Sequence, residues 1–211
     1  MPVDYDQMPQ NRANFVALTP LSFLQRTADI YPQRESVIYN QRRYTWAQTR
    51  ARCVRFASSL AARGIGKNDT VSVLAFNTPE MFECHFAVPM AGAVLNTINT
   101  RLDAQTVAYI IDHGEAKAFI VDRQLWPVLQ EALTLCRLRP EIILIDDEQA
   151  DIHPEWPADR AYCLYADLVG QGDENFAWQP PEDEWQALSL NYTSGTTGRP
   201  KGVVYHHRGA Y

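Results

Sequence analysis

Thr70-Val71-Ser72-Val73-Leu74-Ala75-Phe76-Asn77-Thr78-Pro79 is an apolar, β-branched run that closes on a helix-start signal. A run of this kind suits a strand covered on both faces. Thr78 can cap the following helix, and Pro79 fits its first position, where the N–H has no helical partner anyway. That helix is expected to end near Ala91-Gly92. The same phrase then recurs. A strand at Ala93-Val94-Leu95 leads to a helix capped by Asp103 that reaches His113-Gly114. A strand from Ala118 to Val121 leads to a helix from Leu125 to Cys136, and a further strand runs from Glu141 to Ile145. Apolar runs alternating with helices of about ten to fifteen residues are β-α-β units. The spacing therefore predicts an α/β protein with a mostly parallel sheet covered by helices. It carries no information on strand order.

Upstream, Thr19 and Pro20 open a helix with Leu21, Leu24, Ala28 and Ile30 on its apolar face. Short strands are expected at Ser36 to Tyr39 and Arg43 to Thr45, around a turn at Asn40-Gln41. Thr45 and Gln48 then form a capping box for a second helix. It runs through Cys53, Phe56, Ala57 and Leu60 to Gly64, a helix-ending glycine. Downstream of Ile145 the pattern breaks. Residues 146–186 carry acidic clusters and prolines and read as a solvated connection, with a short helix at Tyr165 to Leu168. Asp146-Asp147-Glu148 reads as part of that solvated loop and not as a metal site. Met81, Phe82, His85, Phe86 and Met90 recur at helical spacing, which reads as core packing. The chain thus divides into an α/β core over 1–145, a connection over 146–186, and a strand–loop–strand unit over 187–211.

The 211 residues are 46% hydrophobic and 21% charged, ordinary for a globular protein. The net charge of −6 argues against a nucleic-acid partner, which needs a basic face. The four cysteines (Cys53, Cys84, Cys136 and Cys163) have neither disulfide-framework nor zinc spacing. They read as reduced thiols. No apolar stretch approaches the roughly 20 residues of a membrane span, and the polar start resembles no leader peptide. These features together predict a cytoplasmic protein.

The stretch Tyr192-Thr193-Ser194-Gly195-Thr196-Thr197-Gly198-Arg199-Pro200-Lys201-Gly202 carries the chemistry. Strands are expected on either side of it, so it joins them as a hairpin. Glycines let the backbone turn so that successive N–H groups converge on an anion. Thr193, Ser194, Thr196 and Thr197 add hydroxyl donors, Lys201 adds a point charge, and Gly195 and Gly198 shape the nest. Hydrogen bonds to a charged group contribute about 1.5–3 kcal/mol each, enough together to hold a polyphosphate. A Walker loop is excluded, because Lys201 is followed by Gly202 and not by Ser or Thr. A flexible Ser/Thr/Gly linker is the plain alternative. His206 and His207, which follow the outgoing strand, read either as residues near a ligand or as packing histidines.

The same stretch, extended to Val203, resembles the phosphate-loop signature of the acyl-adenylate-forming superfamily. That superfamily comprises AMP-forming acyl-CoA synthetases, adenylation domains of peptide synthetases and firefly-type luciferases. Two upstream segments strengthen the resemblance: Arg43-Tyr44-Thr45-Trp46, and Pro89 to Leu102 with its Leu95-Asn96-Thr97-Ile98-Asn99-Thr100-Arg101 wording. The latter is most similar to short- and medium-chain fatty acyl-CoA ligases. The resemblance implies that ATP, with Mg²⁺, and a carboxylic acid give an acyl-adenylate, from which coenzyme A takes the acyl group as a thioester. It implies Thr193, Ser194, Gly195, Thr196, Thr197, Gly198 and Lys201 as the phosphate-binding residues. It also implies that the adenine, ribose, magnesium and hinge positions and the catalytic lysine lie beyond Tyr211. The chain is therefore expected to be an incomplete N-terminal part of such a ligase, with no catalytic residue and no metal ligand of its own. It is expected to be inactive alone and prone to self-association through an uncovered strand edge. Two alternatives stay open: a non-catalytic partner-binding piece, and an adenylating enzyme that does not use coenzyme A.

Overall fold

The computed structural model describes residues 4–11, 13–155, 161–193 and 199–211. Helix α1 (Leu21–Ile30) precedes a hairpin of β1 (Glu35–Tyr39) and β2 (Arg42–Thr45), which turns through Asn40 at φ 50°. Helix α2 (Trp46–Ala62) begins with the expected capping box: the Thr45 hydroxyl accepts from the Gln48 N–H, and the Thr45 N–H donates to the Gln48 side chain. It ends at Gly64, whose φ of +72° is strained for any residue with a Cβ.

The β-α-β alternation follows as β3 (Thr70–Leu74), α3 (Pro79–Met90), β4 (Val94–Thr97), α4 (Ala104–His113), β5 (Ala116–Asp122), α5 (Trp126–Leu135) and β6 (Glu141–Ile145). Thr78 and Asp103 cap α3 and α4 as read from sequence. A two-residue strand β7 (Cys163–Leu164), helix α6 (Tyr165–Gln171), β8 (Ala187–Thr193), β9 (Lys201–His206) and a last turn α7 (His207–Ala210) complete the chain. Seven strands form one sheet in the order β7-β6-β5-β3-β4-β8-β9. Every pairing in it is parallel except that of β8 with β9.

Strand side chains alternate between two cores. Val71 and Val73 of β3, Ala118 and Ile120 of β5, and Ile143 and Ile145 of β6 face α1, α2, α3 and α6. Phe119, Val121, Ile142 and Leu144 point the other way, toward α4 and α5. Ser72 lies in the same strand without breaking it, because its hydroxyl accepts from the Asn96 amide on β4 at 3.1 Å.

Four expectations are corrected. Ile30 is exposed, because the apolar face of α1 stops at Ala28, leaving Ile30 beyond the turn that packs on α2. The 146–186 connection is not solvated throughout. Asp147 is buried, accepting from the Tyr39 hydroxyl at 2.5 Å and facing Arg42 at 3.9 Å, so a polar residue is drawn inward by partners from the β1–β2 hairpin. Helix α6 is longer than the sequence suggests, and Tyr165 is among the largest fully buried side chains. The α3 stripe is core only in part: Met90 is buried, Met81 and Phe86 pack against the core at half-burial, and His85 is exposed.

Beneath α3 lies a buried ion pair. Arg52 of α2 donates to Glu83 through Nε and, at 3.1 Å, through Nη2, and the Tyr165 hydroxyl adds a third donor at 3.0 Å. Burial pushes the Glu83 carboxyl above its ordinary value, against the pull of Arg52 and Tyr165. All four cysteines are free thiols. Among the described residues no helix is long and apolar enough to cross a membrane.

Candidate functional site at the carboxyl end of the sheet

In a parallel α/β sheet, ligands gather where the strands end, because loops there converge and no further sheet hydrogen bonds compete for their backbone groups. Strand β8 runs parallel to β4, so the segment after Thr193 leaves the sheet at this end. The hairpin is as predicted. Thr193 pairs with Lys201 and Tyr192 with Gly202 across β8 and β9, and both Thr193 and Lys201 are exposed. Ser194, Gly195, Thr196, Thr197 and Gly198 lie outside the described residues. Of the predicted phosphate-binding set, Thr193 and Lys201 are thus brought together as neighbours on two antiparallel strands. Among the described residues no group of His, Cys, Asp and Glu is arranged to hold a metal.

The stems of this hairpin are held by residues that sequence reading had not singled out. The Thr97 hydroxyl of β4 donates to the Asn191 side-chain oxygen at 3.0 Å. Tyr192 reaches across to α4, where its hydroxyl and His113 Nδ1 share a hydrogen bond of 2.7 Å. Burial and the neighbouring Tyr109 push the Tyr192 phenol up to about 12, so it stays protonated as a hydrogen-bonding group at any physiological pH. Tyr109 meets the Tyr192 ring edge-on, with centroids 6.4 Å apart, and donates through its own hydroxyl to the Pro200 carbonyl at 3.3 Å. The Arg199 guanidinium stands 6.0 Å from the Tyr109 ring centre. Tyr109 and His113 are four residues apart on one helix face, a spacing visible in sequence, but nothing local links them to residue 192.

The two histidines after the loop turn out to pack. His207 is buried, with Nδ1 2.9 Å from the Thr19 hydroxyl, and burial pushes its imidazole below the ordinary value. His206 packs against the Trp185 ring at a tilt of 40° and accepts from the Gly209 N–H, which caps α7.

The model of a family described as "AMP-binding enzyme" matches residues 24–211. This chain belongs to that family. An acetate–CoA ligase of Humulus lupulus is 47% identical over 99% of this chain and 38% of its own length. A trans-cinnamate:CoA ligase of Petunia hybrida, named as peroxisomal, is 48% identical over 98% of this chain and 38% of its own. A crystal structure of an anthranilate CoA ligase in complex with anthranoyl-AMP superposes with a TM-score of 0.81. It is 21% identical over 94% of this chain and 37% of that one, which shows a shared fold. The chain therefore spans 38% of the length of these two curated relatives.

Proposed function

We propose that this chain supplies the phosphate-handling part of an AMP-forming acid–thiol ligase. The carboxylate attacks the α-phosphorus of ATP, the bond to the β-phosphate breaks, and acyl-AMP and pyrophosphate form. The thiol of coenzyme A then displaces AMP to give the thioester. Thr193 and Lys201, with Ser194, Gly195, Thr196, Thr197 and Gly198 between them, hold the β- and γ-phosphates of Mg-ATP. They stabilise the pyrophosphate as it leaves. The observation carrying this reading is the pairing of Thr193 with Lys201 at the carboxyl end of a parallel sheet, in a chain of the AMP-binding family.

The first test is calorimetric titration of the 211-residue chain with inorganic triphosphate. Binding weakened about tenfold or more by Lys201→Ala supports the cradle; an unaltered affinity in the variant overturns it. The second is carboxylate-dependent ATP–pyrophosphate exchange. We expect none from these 211 residues alone, and robust exchange would show that they hold a complete catalytic centre. Relatives of nearly equal identity are named for acetate and for cinnamate, so the acid proposed is a small carboxylic acid, with short- and medium-chain fatty acids the first to assay.

Two finer readings accompany this one. The free thiols suit a reducing interior, and we place the protein in the cytoplasm; a fluorescent fusion found in peroxisomes would correct that. Strand β9 exposes Val203, Val204 and Tyr205 and, among the described residues, pairs on one side only. Such an edge favours self-association, and a monodisperse monomer in light scattering counts against it.

A further inference from the structure

We infer that the C-terminal half of α4 is the positioning element of the phosphate loop, with His113 and Tyr109 clamping the two stems of the hairpin from one helix face. The inference rests on reading residues 193–201 as a phosphate cradle. It adds where that cradle takes its geometry from.

Apart from the pairing of β8 with β9 themselves, the sheet supports the hairpin from one side only. Strand β8 shares a single register pair with β4, Leu95 with Ser189, and β9 has no second neighbour among the described residues. Besides the bond from Thr97 of β4 to Asn191, two contacts from outside the sheet reach the stems. The incoming stem is held where His113 meets the Tyr192 hydroxyl at 2.7 Å, one residue before Thr193. The outgoing stem is held where Tyr109 donates to the Pro200 carbonyl at 3.3 Å, one residue before Lys201. Residues four apart on a helix lie on the same face, so one rigid element grips both ends of the loop. The three rings make one cluster, with centroids 5.2 Å (Tyr109–His113), 5.7 Å (His113–Tyr192) and 6.4 Å (Tyr109–Tyr192) apart.

Gly114 is part of the device. A Cβ there would stand 2.9 Å from the Ile110 carbonyl, 3.2 Å from the Tyr192 hydroxyl and 3.4 Å from Leu190 Cδ2. Its φ is negative, so the glycine serves close approach and not backbone handedness. The helix end is thereby allowed to sit directly against β8. Fixing both ends of a glycine-rich segment removes part of the ordering cost that a phosphate ligand would otherwise meet.

The test uses the 211-residue chain with His113→Ala, Tyr192→Phe, the two combined, and His113→Asn, whose amide oxygen falls near the position of Nδ1. His113 is exposed and Tyr192→Phe keeps the ring, so the fold is not at risk. Amide hydrogen exchange is read at Thr193, Lys201 and Gly202, with β5 as internal control, alongside affinity for inorganic triphosphate. Each single variant is expected to speed exchange at the stems about fivefold and to weaken triphosphate by a similar factor, leaving β5 unchanged. The double variant should be no worse than either single one, and His113→Asn should recover most of the loss. Unchanged stem exchange in Tyr192→Phe, additive losses, or a His113→Asn as impaired as His113→Ala overturns the clamp. If the unaltered chain binds no triphosphate, the phosphate reading falls, and exchange at the stems alone decides whether α4 clamps the hairpin.

Discussion

The β3-β5-β6 centre of the sheet and its β8–β9 margin are built from similar residues and held by different forces. Every residue of β3 is buried, and β5 is buried at six of its seven positions. Strand β9 carries Val203, Val204 and Tyr205, equally suited to a strand, yet they are exposed. The centre is stabilised by apolar area between two helical layers. The margin relies on backbone pairing and a few polar contacts with α4. Stability is concentrated at the centre, and the segment proposed to cradle phosphate lies where local changes cost little.

The contrast can be broken first at the centre. Phe119 is fully buried between β5 and the α4–α5 layer. Phe119→Ala should destabilise by about 3–5 kcal/mol, read as a drop in the urea midpoint. A loss under about 1 kcal/mol would mean the core is looser than its burial indicates.

Next comes the polar part of the same interior. Arg52→Ala leaves Glu83 buried with only Tyr165 as donor and should cost about 3 kcal/mol. Burial already raises the Glu83 pKa. A raised carboxyl favours the fold at low pH and opposes it as pH rises past the unfolded value of about 4.3. The variant should therefore lose more stability at pH 8 than at pH 5, and a pH-independent loss would contradict the assignment.

His207 gives a smaller effect that joins the two regions, because it ties the start of α1 to the margin through Thr19. Its pKa is lowered by burial, so its contribution is present above the unfolded value of about 6.5 and is lost as pH falls through the folded value. Melting between pH 7.5 and pH 5 should show a decline that His207→Phe flattens. The smallest effect is expected at the margin itself. Val204→Ala, at a residue 59% exposed, should move stability by no more than about 0.5 kcal/mol. A larger loss would show that something covers this edge.

Much of this was legible residue by residue. Thr45 with Gln48, Thr78 before Pro79, and Asp103 mark three helix starts that the structure keeps, and Gly64 marks an end. Each involves groups within four residues of one another, so chain connectivity alone brings them together. The hairpin around the loop was legible from the apolar runs on either side of it, whereas the pairing of Thr193 with Lys201 came from strands that run further than the sequence indicated. The buried Asp147 was not, because its acidic neighbours describe a surface loop and its partners, Tyr39 and Arg42, are over a hundred residues away. Tyr165 was hidden in the same way, inside a stretch dominated by acids and prolines.

The sequence by itself therefore determined the α/β class, the starts of the capped helices and the residue types of the loop. The tertiary structure decided that β8 returns beside β4 to leave the hairpin at the margin of the sheet. It also brought His113 to Tyr192 from 79 residues away. Local rules act through groups the chain already holds close. Contacts at long separation have no local signature and arise only when burial of both sheet faces selects one arrangement of strands.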